Sequence, residues 1–271
     1  MMRTFTSIII IIFLYILAIM PRIRNKPDMS TLMGVHYAHR GLHEDKNIAP
    51  ENSMAAFQLA VDNNFGIEFD VQLSKDNIPV VFHDFTLKRL CGVNKKVNDL
   101  TFDELRMLTL YDSDQLIPHL SEVLDLINGQ VPIIVEYKIP GNNTKVCEIG
   151  DKILKDYKGV YCIESFNPLA LSWYKKNRPE VIRGQLSTKF IGKKGGAPSK
   201  LLNFALQNFL LNFLSKPDFI AFDYRHSNLF SFSLARSLFK VPTIAYTITN
   251  NQHIIDSSKK FDLFIFEHFL P

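Results

Sequence analysis

The stretch Ile67-Glu68-Phe69-Asp70-Val71-Gln72 decides the fold. It is short, apolar at every second position, and reads as a β-strand. Alternation puts residues i and i+2 on one face, so Glu68 and Asp70 project together while Ile67, Phe69 and Val71 project oppositely. Seven further segments have the same short, apolar and turn-bounded character: Val35–His39, Val131–Tyr137, Val160–Ser165, Val181–Leu186, Phe219–Asp223, Thr243–Thr247 and Leu263–Glu267. Helical patterns lie between most of them, at Ser53–Asn63, Leu120–Asn128, Val146–Tyr157, Pro168–Asn177, Leu229–Phe239 and Asn251–Lys259. Strand–helix alternation with eight strands argues an α/β fold, a closed TIM (β/α)8 barrel. The 271 residues suit it, because such barrels reach about 250 residues as one domain. An extra strand, Pro79–Phe82, follows a turn at Lys75-Asp76-Asn77 and pairs as a hairpin with the second strand. The expected organisation is a hydrophobic N-terminal helix with its basic flank over residues 1–26. A barrel domain over residues 35–271 follows, with a short insertion after the second strand.

Chemistry in such a barrel sits at the C-terminal ends of the strands. Those ends carry His39-Arg40, Glu68 and Asp70, Glu136 and Lys138, Asp223, Thr247 and Glu267, whereas the strand bodies are apolar. Two carboxylates on one face at a barrel mouth repel each other and lose hydration unless a cation lies between them. Glu136 supplies a third oxygen. An all-oxygen set suits a hard ion, Ca²⁺ or Mg²⁺, better than zinc. His39 and His83 each end an apolar strand and can divide general acid and general base work near neutral pH. Arg40 and Lys138 suit a phosphodiester, whose charge they would balance. They serve equally as salt bridges that hold the carboxylates. In Ala49-Pro50-Glu51-Asn52-Ser53 the chain enters a helix. Asn52 or Ser53 can cap that helix, and Asn52 can alternatively contact phosphate and Glu51 a metal.

The run Ser7–Met20 is apolar and uncharged, preceded by Arg3 and followed by Arg22, Arg24 and Lys26. The end Leu-Ala-Ile-Met-Pro is a poor cleavage site, which favours an uncleaved single-pass membrane anchor. The excess of positive charge after the run places the catalytic domain in the cytoplasm. Cys91, Cys147 and Cys162 are odd in number, match no zinc spacing and read as free thiols in a reducing compartment. A net charge of +4 without a basic, aromatic-interleaved stripe excludes nucleic acid as a partner. The clusters at Arg22–Lys26 and at Lys193, Lys194 and Lys200 suit an anionic membrane surface or a phosphate-bearing substrate.

Together these motifs resemble the glycerophosphodiester phosphodiesterases. The resemblance rests on His39-Arg40-Gly41, Pro50-Glu51-Asn52-Ser53, Glu68-Phe69-Asp70-Val71 and Val80-Val81-Phe82-His83-Asp84. It continues through Ile117-Pro118-His119-Leu120, Glu122-Val123-Leu124 and Glu136-Tyr137-Lys138, and covers roughly residues 35–271. It implies metal-dependent hydrolysis of a glycerophosphodiester to an alcohol and glycerol 3-phosphate. His39 and His83 would form the acid/base pair, Glu68, Asp70 and Glu136 would bind the divalent metal, and Arg40, Asn52 and Lys138 would contact substrate or phosphate. The chain departs from the family in three places where substrate contact is expected. Tyr246-Thr247-Ile248-Thr249-Asn250 stands where a tryptophan-containing motif is usual, Glu267 where an aspartate is usual, and His119 where a threonine is usual.

Leu201–Leu214 reads LLNFALQNFLLNFL. A helix apolar over most of its circumference packs on the barrel or enters lipid. With the anchor, the second option favours a lysophospholipase D, or a related phospholipid phosphodiesterase, as the alternative to action on deacylated phospholipids. A non-catalytic, membrane-tethered binding barrel is the further alternative.

Overall fold

Nine strands form in the computed structural model, which describes residues 2–191 and 199–271. They are β1 Tyr37–His39, β2 Gly66–Leu73, β3 Pro79–Val81, β4 Ile133–Tyr137, β5 Tyr161–Ser165, β6 Arg183–Ser187, β7 Phe219–Asp223, β8 Thr243–Ile248 and β9 Leu263–Phe266. The sheet order is β1-β9-β8-β7-β6-β5-β4-β2-β3, and β1 also pairs with β2, so eight parallel strands close into a barrel. The ninth, β3, runs antiparallel to β2, with Val71 opposite Val81. The helices are α1 Met2–Ile19, α2 Met54–Asp62, α3 Lys88–Cys91, α4 Phe102–Leu105, α5 Leu120–Ile127, α6 Lys145–Leu154, α7 Pro168–Asn177, α8 Lys200–Gln207, α9 Asn212–Ser215, α10 Phe230–Phe239 and α11 Asn251–Ser257.

Alternation along the strands builds two cores. Ile67, Phe69, Val71, Ile133, Val135, Ile163, Ile220 and Phe222 face outward to the helices. Tyr37, Ile134, Cys162, Leu186, Phe219, Ala221 and Ile244 fill the barrel interior. Gly184 of β6 makes this interior possible: a Cβ there would lie 2.0 Å from the Phe219 ring. Gly184→Ala therefore forces that ring to move, and a urea titration is expected to show a loss of about 1–3 kcal/mol. No loss would mean that Phe219 repacks without strain.

The insertion after the second strand is not short. It runs from Ser74 to His119 and has its own core of Val80, Phe82, Leu87, Leu90, Val97, Leu100, Leu105, Leu110 and Ile117. Its end explains His119, which caps α5: its Nδ1 accepts from Ser121 N (3.0 Å), while Glu122 Oε2 accepts from His119 N (2.8 Å). A threonine makes the same kind of cap, so this departure keeps a helix boundary.

The apolar segment Leu201–Leu214 is two helices rather than one. Phe209 takes a left-handed φ of 57° and buries its ring, which breaks the run between α8 and α9. Asn212 then faces the chain end of α1, donating to Ile19 O at 3.1 Å, and Lys216 Nζ donates to Met20 O at 3.2 Å. These bonds satisfy carbonyls that a helix C-terminus leaves unpaired. The last turn of α1 is thereby fixed to the barrel, whereas Phe5 and Ile8–Leu14 are exposed. Among the described residues no helix is long and apolar enough to cross a membrane. The 18 residues of α1 reach about 27 Å, short of a ~30 Å hydrocarbon core. Lys193 and Lys194 of the expected basic cluster lie outside the described residues.

Candidate active site

Register brings the strand-end residues together. His39 pairs with Glu68, Asp70 with Glu136, and Glu136 with Glu164. One carboxylate oxygen from each of Glu68, Asp70 and Glu136 lies within 4.8 Å of the others, and all three side chains are buried. Burial and the neighbouring Asp70, Glu136 and Glu164 carboxylates push Glu68 well above the usual carboxylate range. Burial raises Glu136 as well. For Asp70, burial is outweighed by Lys138, His83 and Arg40, which hold its carboxyl far down. Like charges packed this closely are relieved by a cation among them. Three converging oxygen donors fit a hard divalent ion.

The motif loops fix these carboxylates. Gly41 has φ 82°, and a Cβ there would lie 2.9 Å from the backbone of Ala56, so the turn after β1 requires glycine. Arg40, itself at φ 58°, donates its backbone N–H to Glu68 Oε2 at 3.1 Å. Ser53 is the cap of α2, accepting from Ala56 N at 3.1 Å. Asn52 does not cap the helix. At φ 57° it donates Nδ2 to Asp70 Oδ2 at 2.8 Å. Lys138 Nζ lies 2.8 Å from Asp70 Oδ1 and 2.7 Å from Glu136 Oε1. Arg40 Nε lies 3.5 Å from Asp70 and its Nη1 bonds Glu51 Oε1 at 2.6 Å. The expected phosphate-contacting trio thus lies at the carboxylates and braces them.

Both histidines are present, each oriented by a carboxylate. His39 Nδ1 lies 2.6 Å from Glu267 Oε2, which turns Nε2 toward Glu68, 4.0 Å away. Burial and then Arg40 lower His39 below the ordinary histidine value, while Glu267 counteracts them. His83 Nδ1 lies 2.6 Å from Asp84 Oδ1. Asp84 also accepts from Arg89, and Arg89 bonds Glu51 at 2.6 and 2.8 Å. Alternating charges therefore run from Asp84 through Arg89, Glu51 and Arg40 to Asp70, joining the insertion to the barrel. Burial opposes ionisation of Glu51, but Arg89 and Arg40 prevail and bring it down to about 2. A depressed carboxylate stabilises the fold above its unfolded value near 4.5 and loses that contribution as pH falls toward 2. Glu51→Gln is expected to cost about 3 kcal/mol at pH 7 in urea titrations, with the difference from the parent shrinking below pH 4.5. A pH-independent difference would contradict this assignment.

Four residues of this site have roles that residue type alone did not convey. Asp84 adjoins His83, a signal that was available. Arg89 sits on a one-turn helix without a pattern. Glu267 was visible as a strand-end acid standing where an aspartate is usual, but its partner His39 is 228 positions away. Glu164 is buried between Cys162 and the site, raised well above its usual range by burial and then by Glu136.

Comparison with known proteins agrees with this geometry. Residues 39–200, more than half the chain, match the glycerophosphoryl diester phosphodiesterase family. The chain is 35% identical over 161 residues to the glycerophosphodiester phosphodiesterase of Caldanaerobacter subterraneus subsp. tengcongensis, covering 55% of this chain and 65% of that protein. It is 32% identical over 151 residues to lysophospholipase D GDPD1 of Rattus norvegicus, covering 51% of this chain and 46% of that protein. These matches span less than two thirds of the relatives' own length. The crystal structure of a glycerophosphodiester phosphodiesterase from Thermotoga maritima superposes with a TM-score of 0.64 at 26% identity, over 86% of this chain and 94% of that one. Barrel, strand-end motifs and family match agree: the chain belongs to the glycerophosphoryl diester phosphodiesterase family.

Proposed function

We propose that the protein hydrolyses glycerophosphodiesters, the deacylated forms of phospholipids, to an alcohol and glycerol 3-phosphate. The observation that carries this reading is the pairing of two carboxylate-oriented histidines, His39 and His83, with the buried trio Glu68, Asp70 and Glu136. The trio would hold a divalent ion, Ca²⁺ or Mg²⁺, which when bound supplies charge stabilisation at phosphate. Held through Nδ1, each imidazole keeps Nε2 for proton transfer. His39, lowered by burial and then by Arg40 and with Nε2 turned toward Glu68, suits the base, and His83 is the other member of the pair. Arg40 and Lys138 lie beside the carboxylates, where they would also balance phosphate charge.

Action on a lysophospholipid is the second reading. It is favoured by Leu201, Leu202 and Phe204, all exposed on α8, the helix that follows the C-terminal end of β6. Metal-dependent choline release from glycerophosphocholine and from its monoacylated form separates the two. Faster turnover of the deacylated diester is expected, and a large preference for the acylated one would replace the first reading with the second.

The same proposal puts the protein at a membrane. Exposed Phe5 and Ile8–Phe13 of α1, followed by Arg22, Arg24 and Lys26, suit an apolar helix held in lipid beside an anionic surface. The excess of basic residues after α1 favours the cytoplasmic face for the barrel. Flotation of the full chain with vesicles containing phosphatidylserine tests this location, and failure to float would refute it.

A further inference from the structure

A cavity of about 490 Å³ opens between the insertion and the loop from β4 to α6, beside the candidate active site. Lys138 belongs to both, so the cavity begins where the carboxylate trio ends. Lys75 and Lys96 line it from the insertion and Lys145 from the start of α6, with Asn77 and Asn98 between them. No aspartate or glutamate lines it. Asp76 adjoins Lys75 but accepts from the Ser74 hydroxyl and from Phe102 N. Glu104 and Glu148 act on Lys75 and Lys145 from outside the lining, but Glu104 accepts from Thr101 and Glu148 pairs with Lys152 at 2.9 Å. Lys138 differs, because Asp70 and Glu136 already balance it.

Three ammonium groups around one cavity, without an acid among them, repel a cation and attract an anion. A lysine recognises a phosphate or carboxylate as a point charge and does not need the planar geometry that arginine requires. Phe85 is the single aromatic side chain in the lining, which is too few to cage a quaternary ammonium. We propose that this cavity is the subsite for the leaving alcohol and that it selects alcohols bearing their own negative charge. The inference rests on the hydrolytic reading above and adds the class of diester: one with a second phosphate on the alcohol side, in preference to choline or ethanolamine.

The test uses the full chain with Mg²⁺ or Ca²⁺ and three diesters sharing one glycerophosphoryl unit. Glycerophosphocholine has a cationic leaving alcohol, glycerophosphoglycerol a neutral one, and 1,3-bis(glycerophospho)glycerol an anionic one. The expected order of kcat/KM is anionic, then neutral, then cationic, with about 10-fold between the first two at low salt. Salt narrows the spread, because exposed charges are screened. The combined substitution Lys75→Ser, Lys96→Ser and Lys145→Ser collapses this order: kcat/KM for the anionic diester falls, and that for glycerophosphocholine rises, toward the value for glycerophosphoglycerol. Equal rates on the three diesters, or a triple variant that slows all of them alike, would overturn the subsite. Calorimetric binding of 1,3-bis(glycerophospho)glycerol and glycerophosphocholine to parent and variant decides the question even if none of the diesters is hydrolysed. In that case the hydrolytic reading fails, and equal affinities would sink the subsite as well.

Discussion

Replacing His39 with alanine lowers kcat/KM for a glycerophosphodiester by at least about 100-fold, the scale of losing a general acid–base group. The proposed role rests on geometry and charge together. Glu267 holds Nδ1 at 2.6 Å, and Nε2 faces the carboxylate trio from 4.0 Å. Glu267→Gln gives a graded control. The carboxylate raises His39 against burial and Arg40, so its loss lets the histidine value fall further. A base must be neutral, so the acidic limb of the pH–rate profile moves to lower pH in Glu267→Gln and vanishes with activity in His39→Ala. Unchanged turnover in His39→Ala would remove this residue from the mechanism and favour a barrel that binds without catalysing.

Stripping divalent ions with a strong chelator is expected to abolish turnover, by about 1,000-fold or more, given the several kcal/mol that a bound ion contributes at a charged transition state. The carboxylates themselves supply a second readout. Glu68 and Glu136 are both raised above the usual carboxylate range, chiefly by burial, and an entering cation pulls them down, so a proton that either carries is released on binding. Calorimetry of Mg²⁺ or Ca²⁺ binding in two buffers of different ionisation enthalpy therefore reports proton release, and Glu68→Gln reduces it. Full activity in chelator, unaltered by either ion, would contradict an oxygen-ligated metal centre.

How much of this was legible in the sequence follows from the range of each interaction. The eight barrel strands were visible because each is a short apolar run ending in polar residues, and β7 was located at Phe219–Asp223 to the residue. The carboxylate cluster was visible in part for the same reason, since period-2 alternation places Glu68 and Asp70 on one face and Glu136 ends the neighbouring strand. The size of the insertion was hidden: α3 and α4 are single turns, too short for a hydrophobic period, and their core forms only when the segment folds on itself. The break at Phe209 was hidden too, because its backbone conformation follows from tertiary burial beside Phe222. Arg40, Asn52 and Lys138 were selected by type, but their partners were not readable. A guanidinium, an amide and an ammonium near a phosphate site can each bind the ligand or hold the carboxylates, and only the fold shows how closely they contact Asp70.

The most direct test of the proposed hydrolysis is the appearance of glycerol 3-phosphate. Full-length protein, first freed of metal and then supplied with Mg²⁺ or Ca²⁺, is incubated with glycerophosphoglycerol, and the product is followed by coupled oxidation. Metal-dependent release of glycerol 3-phosphate that His39→Ala suppresses is the predicted result. No release with either ion across neutral pH, or release that survives both chelation and His39→Ala, would contradict it.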